Sequence, residues 1–134
     1  MPHLTIEYSS NLAARMDMDA VCRALHQAML DTGLFELGAI RVRALAAQHY
    51  AVADLLPQNG FAALYLRIGA GRSAQDKTQA GGLIFNAANA AFADLFTTPH
   101  FALTLEIIEI DPALSSKKNA IHPRIRAEKG GKHV

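Results

Sequence analysis

An α/β (α+β) fold is what this sequence predicts: two β-α-β repeats that build a four-stranded sheet with two helices on one face. Three observations lead there. The chain opens on a run with the two-residue period of a half-buried strand, the same pattern returns near residue 61, and each run is followed by a stretch of helical spacing and then a second strand. The pseudo-repeats span about 1–50 and 60–112 within one domain, 1–122, and 123–134 reads as a basic, flexible C-terminal tail.

In the first repeat Leu4, Ile6 and Tyr8 alternate with His3, Thr5 and Glu7. Asn11 to Asp17 is a polar loop in which Asp17 can cap a helix. Val21, Leu25, Ala28 or Met29, and Thr32 recur at helical spacing, and Gly33 is placed to end the helix. A strand follows over about 39–47, with Ile40, Val42 and Ala44 opposing Arg41, Arg43 and Leu45. The second repeat places a strand over 61–68 with Leu64, Leu66 and Ile68 on one face. Gly69-Ala70-Gly71 turns the chain, Ser73 caps a helix reaching about Phe96, and Leu103 to Ile110 is the last strand. Gly81 and Gly82 inside that helix are read as close-packing positions, since each costs about 1 kcal/mol relative to Ala.

Crossovers between parallel strands are right-handed, so both helices lie on one side of the sheet. The other side is uncovered and carries apolar residues, read as Tyr8, Phe61, Ala63 and Tyr65 among others, which predicts an oligomer.

With 134 residues, 51% apolar and 19% charged, the chain can bury roughly two-thirds of its unfolded surface as one domain. No apolar run approaches a membrane span and no secretory signal is visible, so no membrane partner and a cytoplasmic location are expected. Cys22 is the single cysteine, which excludes an internal disulfide and a Cys-based metal cluster. A net charge of +1, with no aromatic-and-basic strand motif, argues against nucleic acid as a partner.

The six histidines lack ligand spacing, so neither a metal nor a cofactor is expected. Ser9, Ser10 and Cys22 have no base at a motif spacing, which leaves nucleophilic catalysis unsupported. Three other features carry chemistry. An initiator Met before Pro2 is normally removed, and the exposed proline is then a secondary amine that can act as a base. Arg41 and Arg43 project to the same side of their strand. The turn Gly69-Ala70-Gly71-Arg72-Ser73 puts a guanidinium at a helix N-terminus, where anions are favoured; it lacks the lysine and spacing of a P-loop.

The chain resembles the tautomerase superfamily and, within it, the 5-carboxymethyl-2-hydroxymuconate Δ-isomerases. The resemblance runs through Met-Pro-His at 1–3, Glu7, Asn11, Thr32-Gly33, Gly38 to Arg43, Ile68 to Ser73, Ala80-Gly81, Glu106-Ile107 and Pro112 to His122. The second half also resembles the short 4-oxalocrotonate tautomerases. The loop Ala53 to Gly60, Gly82 and the extension past the family's usual end depart from the pattern.

The resemblance implies a homotrimer without a cofactor, in which Pro2 is the catalytic base and Arg72 and Arg41 supply positive charge to the reaction. Arg41, Arg43 and Arg72 are then the substrate-binding candidates. The implied reaction shifts a proton in a 2-hydroxymuconate-type dienol to give its 2-oxo-3-ene isomer, in the degradation of aromatic compounds (homoprotocatechuate). Two alternatives remain open: another keto-enol tautomerase or related decarboxylase, as for phenylpyruvate-type enols, and a non-catalytic oligomeric binding module using the basic tail. More than one arginine favours a substrate with more than one carboxylate.

Overall fold

The computed structural model describes residues 1–132; His133 and Val134 lie outside them. Strand β1 (His3–Ser9) leads through helix α1 (Met18–Asp31) to β2 (Arg41–Ala47), and β3 (Gly60–Gly69) leads through α2 (Ala74–Ala91) to β4 (Phe101–Ile110). The sheet order is β2-β1-β3-β4. Each repeat contributes a parallel pair, and the repeats join through the antiparallel pair β1 and β3.

Register explains the core. Leu4 faces Leu66 and Ile6 faces Leu64 across β1 and β3, so four fully buried side chains form the floor on which the helices sit. Val21, Leu25 and Met29 of α1, with Ile84 and Ala88 of α2, close over that floor. The caps form as the sequence predicts. Asp17 Oδ1 accepts from the Ala20 N–H at 3.1 Å, and Ser73 Oγ accepts from the Asp76 N–H at 3.0 Å. Gly33 follows α1 with a φ of +74°, a conformation that a Cβ disfavours.

Several boundaries differ. The turn at Leu37–Ala39 is a single helical turn, so β2 starts at Arg41. Helix α2 stops at Ala91, and a tighter turn over Ala93–Thr97 carries the chain on. Phe92 and Leu95 are both buried, and their three-residue spacing suits the tighter winding. Tyr8 is not on the uncovered face. It pairs with Ala62 and shares the parity of Leu4 and Ile6, so it packs against the core on the helix side. The uncovered face carries His3, Thr5 and Glu7 with Arg41, Arg43 and Leu45 on one flank. Phe61, Ala63, Tyr65 and Arg67 lie on the other flank with Ala102, Thr104, Glu106 and Ile108.

At the C-terminus, residues 123–132 of the segment expected as a flexible tail lie in helix α3 (Ile121–Lys132), and His133 and Val134 of it lie outside the described residues. Arg126 grips the Glu36 carboxylate with two hydrogen bonds, Nε to Oε2 at 2.6 Å and Nη2 to Oε1 at 2.7 Å. That contact holds the Glu36 carboxyl below its usual range. His122 lies over Gly38 so closely that a Cβ there would stand 2.6 Å from its Nδ1. Its Nδ1 is 3.2 Å from Glu36 Oε2, but not aligned for a hydrogen bond. Composition suggested a solvated tail because it shows the run of cations and hides the distant carboxylate that receives one of them.

The two glycines of α2 part ways. A Cβ at Gly81 would press on Ile107 Cδ1 at 3.1 Å, which is a close-packing role; at Gly82 it would meet nothing within 4 Å. Gly82→Ala is therefore expected to stabilise the fold by about 1 kcal/mol through helix propensity alone. A urea midpoint that is unchanged or lower would contradict this.

Candidate active site

The topology gathers the candidate residues at one end of the sheet. β1 and β2 begin there, because His3 pairs with Arg41, and β3 and β4 end there, because Gly69 pairs with Ile110. The amino terminus, the turn after β3 and the segment after β4 therefore converge. Between them lies a cleft of about 530 Å³, a volume ordinary for small-molecule sites. Met1, His3, Arg72, Ile110, Lys117 and Lys118 are among its lining residues, and no carboxylate side chain is.

Arg72 is held from both repeats. Its Nη1 donates to the Gly69 carbonyl at 3.1 Å and its Nη2 to the Leu34 carbonyl at 3.2 Å. The guanidinium carbon lies 5.0 Å from the centroid of the Phe35 ring, within cation–π range. Gly71, with a φ of +110°, makes the turn that delivers it. The arginine is thus fixed before any ligand arrives, as a charge-stabilising group should be.

Arg41 stands beside the amino terminus. Its Nη1 donates to the Ala39 carbonyl at 2.8 Å and lies 3.5 Å from Met1 Sδ. Arg43 is one step further along the same face of β2, where its Nη1 lies 3.2 Å from His3 Nδ1. A guanidinium can only donate, so Nδ1 must accept and His3 must be the neutral tautomer protonated on Nε2. Burial first, then Arg43, Arg41, the amino terminus and Arg67, push the His3 pKa down in agreement.

Met1 occupies the cleft and acylates Pro2, which is buried just behind it. The Met1 ammonium pKa lies below its ordinary value of 8.0, chiefly through burial, then through Lys117, Arg72 and Arg41. The amino terminus and Arg72 thus meet at the cleft, whereas Arg41 reaches it through Met1 and Arg43 through His3.

Sequence reasoning missed the cleft roles of His3, Lys117 and Lys118. His3 was one of six histidines without ligand spacing, and the two lysines drew no reading of their own. The signal available was the Pro112 to His122 segment, which the resemblance had marked without a role. In the structure that segment crosses the cleft and feeds α3. Among the described residues no group of three or more His, Cys, Asp or Glu side chains could hold a metal ion. No helix there is long and apolar enough to cross a membrane.

Comparison with known proteins identifies the family and agrees with the fold. The model of the 5-carboxymethyl-2-hydroxymuconate isomerase family matches residues 2–125. The chain is 34% identical over 124 residues to the 5-carboxymethyl-2-hydroxymuconate Delta-isomerase of Escherichia coli, covering 91% of this chain and 97% of that protein. The crystal structure of a 5-carboxymethyl-2-hydroxymuconate isomerase from Deinococcus radiodurans R1 superposes with a TM-score of 0.86 at 38% identity, covering 93% of this chain and 94% of that one. A fused 4-OT, described as a symmetric trimer, shares the fold at a TM-score of 0.65 and 16% identity, over 87% and 93% of the two chains. With its sheet, its cationic cleft at the amino terminus and these matches, the chain belongs to the 5-carboxymethyl-2-hydroxymuconate isomerase family.

Proposed function

We propose that the protein is a cofactor-independent isomerase acting on 5-carboxymethyl-2-hydroxymuconate, with the amine of Pro2, freed by removal of Met1, as its base. The observation that carries this reading is the convergence of the amino terminus with Arg72 at a cleft lined without carboxylates, with Arg41 against Met1 beside it.

The proline nitrogen takes the proton of the 2-hydroxyl group as the carbonyl forms there. The electron pair moves along the conjugated diene, and the proton returns to the carbon at the far end. One double bond is shifted and nothing is oxidised or reduced. The base must be neutral near pH 7, although an α-amino group ordinarily titrates near about 8 and a proline amine higher. Burial and neighbouring cations both disfavour the ammonium form, as they do for Met1. Arg72 and Arg41 also stabilise oxyanion character on the substrate, so the same charges tune the base and favour the transition state.

The apolar residues on the uncovered sheet face, Leu45 and Ile108 among them, support burial against other copies of the chain, which we read as a homotrimer. The fused 4-OT trimer lends that reading the same fold.

Turnover of the dienol, followed by ultraviolet absorbance in a chain shown by intact mass to lack Met1, tests the proposal. Because the neutral amine is the active form, kcat/KM should rise as pH increases through the amine pKa and level off above it. That rise should fall below the ordinary range of a free proline amine, since burial and neighbouring cations shift the pKa downward. A chain carrying an extra residue before Pro2 should be inactive. Equal turnover by the blocked chain would sink the reading.

A further inference from the structure

We propose that Lys117 recognises a second carboxylate of the substrate and sets a preference for dicarboxylates over monocarboxylates. The inference deepens the reading above, because it adds a specificity residue to the same cleft.

Lys117 is presented by a built element. The segment 111–120 leaves β4 through a turn in which Asp111 Oδ1 accepts from the Ala113 N–H at 2.9 Å. At its other end Asn119 Nδ2 donates to the Gly38 carbonyl at 2.9 Å, while Asn119 Oδ1 accepts from the N–H groups of Ile121 and His122 at 2.7 and 3.1 Å. Helix α3 then locks onto Glu36 through Arg126. A strap tied at both ends holds the backbone of its lysines over the cleft, so only the side chains remain to be ordered on binding.

The other cations of the site have protein partners. Arg72 is bonded to two carbonyls, Arg41 to the Ala39 carbonyl, and Arg43 to His3. Lys117 and Lys118 line the cleft with neither a hydrogen bond nor an ion pair among the described residues. Unneutralised lysines facing Arg72 repel it and one another, and an anion entering the cleft relieves that repulsion. A dicarboxylate supplies one charge for the fixed guanidinium and one for the strap. Lys117 is favoured over Lys118 because its charge is felt at the amino terminus more strongly than that of Arg72 or Arg41, whereas Lys118 exerts no resolved effect there.

The test uses two inert probes with the same diene, trans,trans-muconate and sorbate, in which one carboxylate of the first is a methyl group in the second. Neither carries the 2-hydroxyl, so binding by calorimetry to the Met1-free chain is read without turnover. The wild-type chain should prefer muconate. Lys117→Met should weaken muconate binding about tenfold, as for one charge-assisted contact, and change sorbate binding less than twofold; Lys117→Arg should restore the preference. Absence of a preference in the wild type, equal loss for both probes, or a larger effect of Lys118→Met would overturn the assignment. If the dienol is not isomerised at all, the proposed function falls, while a Lys117-dependent preference for muconate stands independently.

Discussion

Pro2→Ala in the Met1-free chain is expected to lower kcat/KM for the dienol by about 10²–10⁴-fold, the range supplied by a positioned general base. Alanine keeps an amine at the same point in the chain, so the variant does not abolish basicity. It changes its quality. A primary amine is less basic than the secondary amine of proline, and without the ring its nitrogen is free to rotate away from the substrate. The cations around the amino terminus remain, so substrate binding should change far less than turnover, and the loss should appear mainly in kcat. Pro2 is buried, which makes a structural control necessary. The circular-dichroism spectrum should be retained and the oligomer unchanged by sedimentation. A rate within a few-fold of wild type, in a protein whose mass confirms alanine as its first residue, would remove the proline from the chemistry.

The repeats were legible because their signals are local. Period-two alternation placed all four strands, and Asp17 and Ser73 announced both principal helices through caps that act within three residues. Arg72 was legible for a related reason, since the glycines before it force a turn and the helix after it supplies an anion-favouring end. The helical C-terminus was not legible, because what holds it is remote. Arg126 and Glu36 are 90 residues apart, and so are governed by tertiary placement rather than by neighbouring residues. His122 over Gly38 is a contact of the same kind. Lys117 and Lys118 became interpretable only once that anchor was known, because adjacent lysines in a segment of unknown course carry no positional information. The misplacement of Tyr8 has a different origin. Its parity with Leu4 and Ile6 was already present in the sequence, and the two-residue period puts it on the helix side.

Arg72→Met is expected to reduce kcat/KM by about 10²–10³-fold, the scale for losing one preorganised charge-stabilising group. Arg72→Lys should recover only a small part of that loss. The guanidinium donates at once to the carbonyls of Gly69 and Leu34 while lying over Phe35, and these contacts join the β3–α2 turn to the segment after α1. An ammonium cannot span both carbonyls with the same planar geometry, so lysine restores the charge without restoring its position. A pH profile separates the two contributions. Removing a cation near the amine relieves repulsion against the ammonium form and raises its pKa, so the acid limb of kcat/KM should move to higher pH in Arg72→Met. Arg72→Lys should leave that limb closer to its wild-type position while the plateau stays low, because charge alone acts on the amine whereas aim acts on the substrate. A lysine variant with a full plateau would mean that position is immaterial, and Arg72 would then serve only to tune the base.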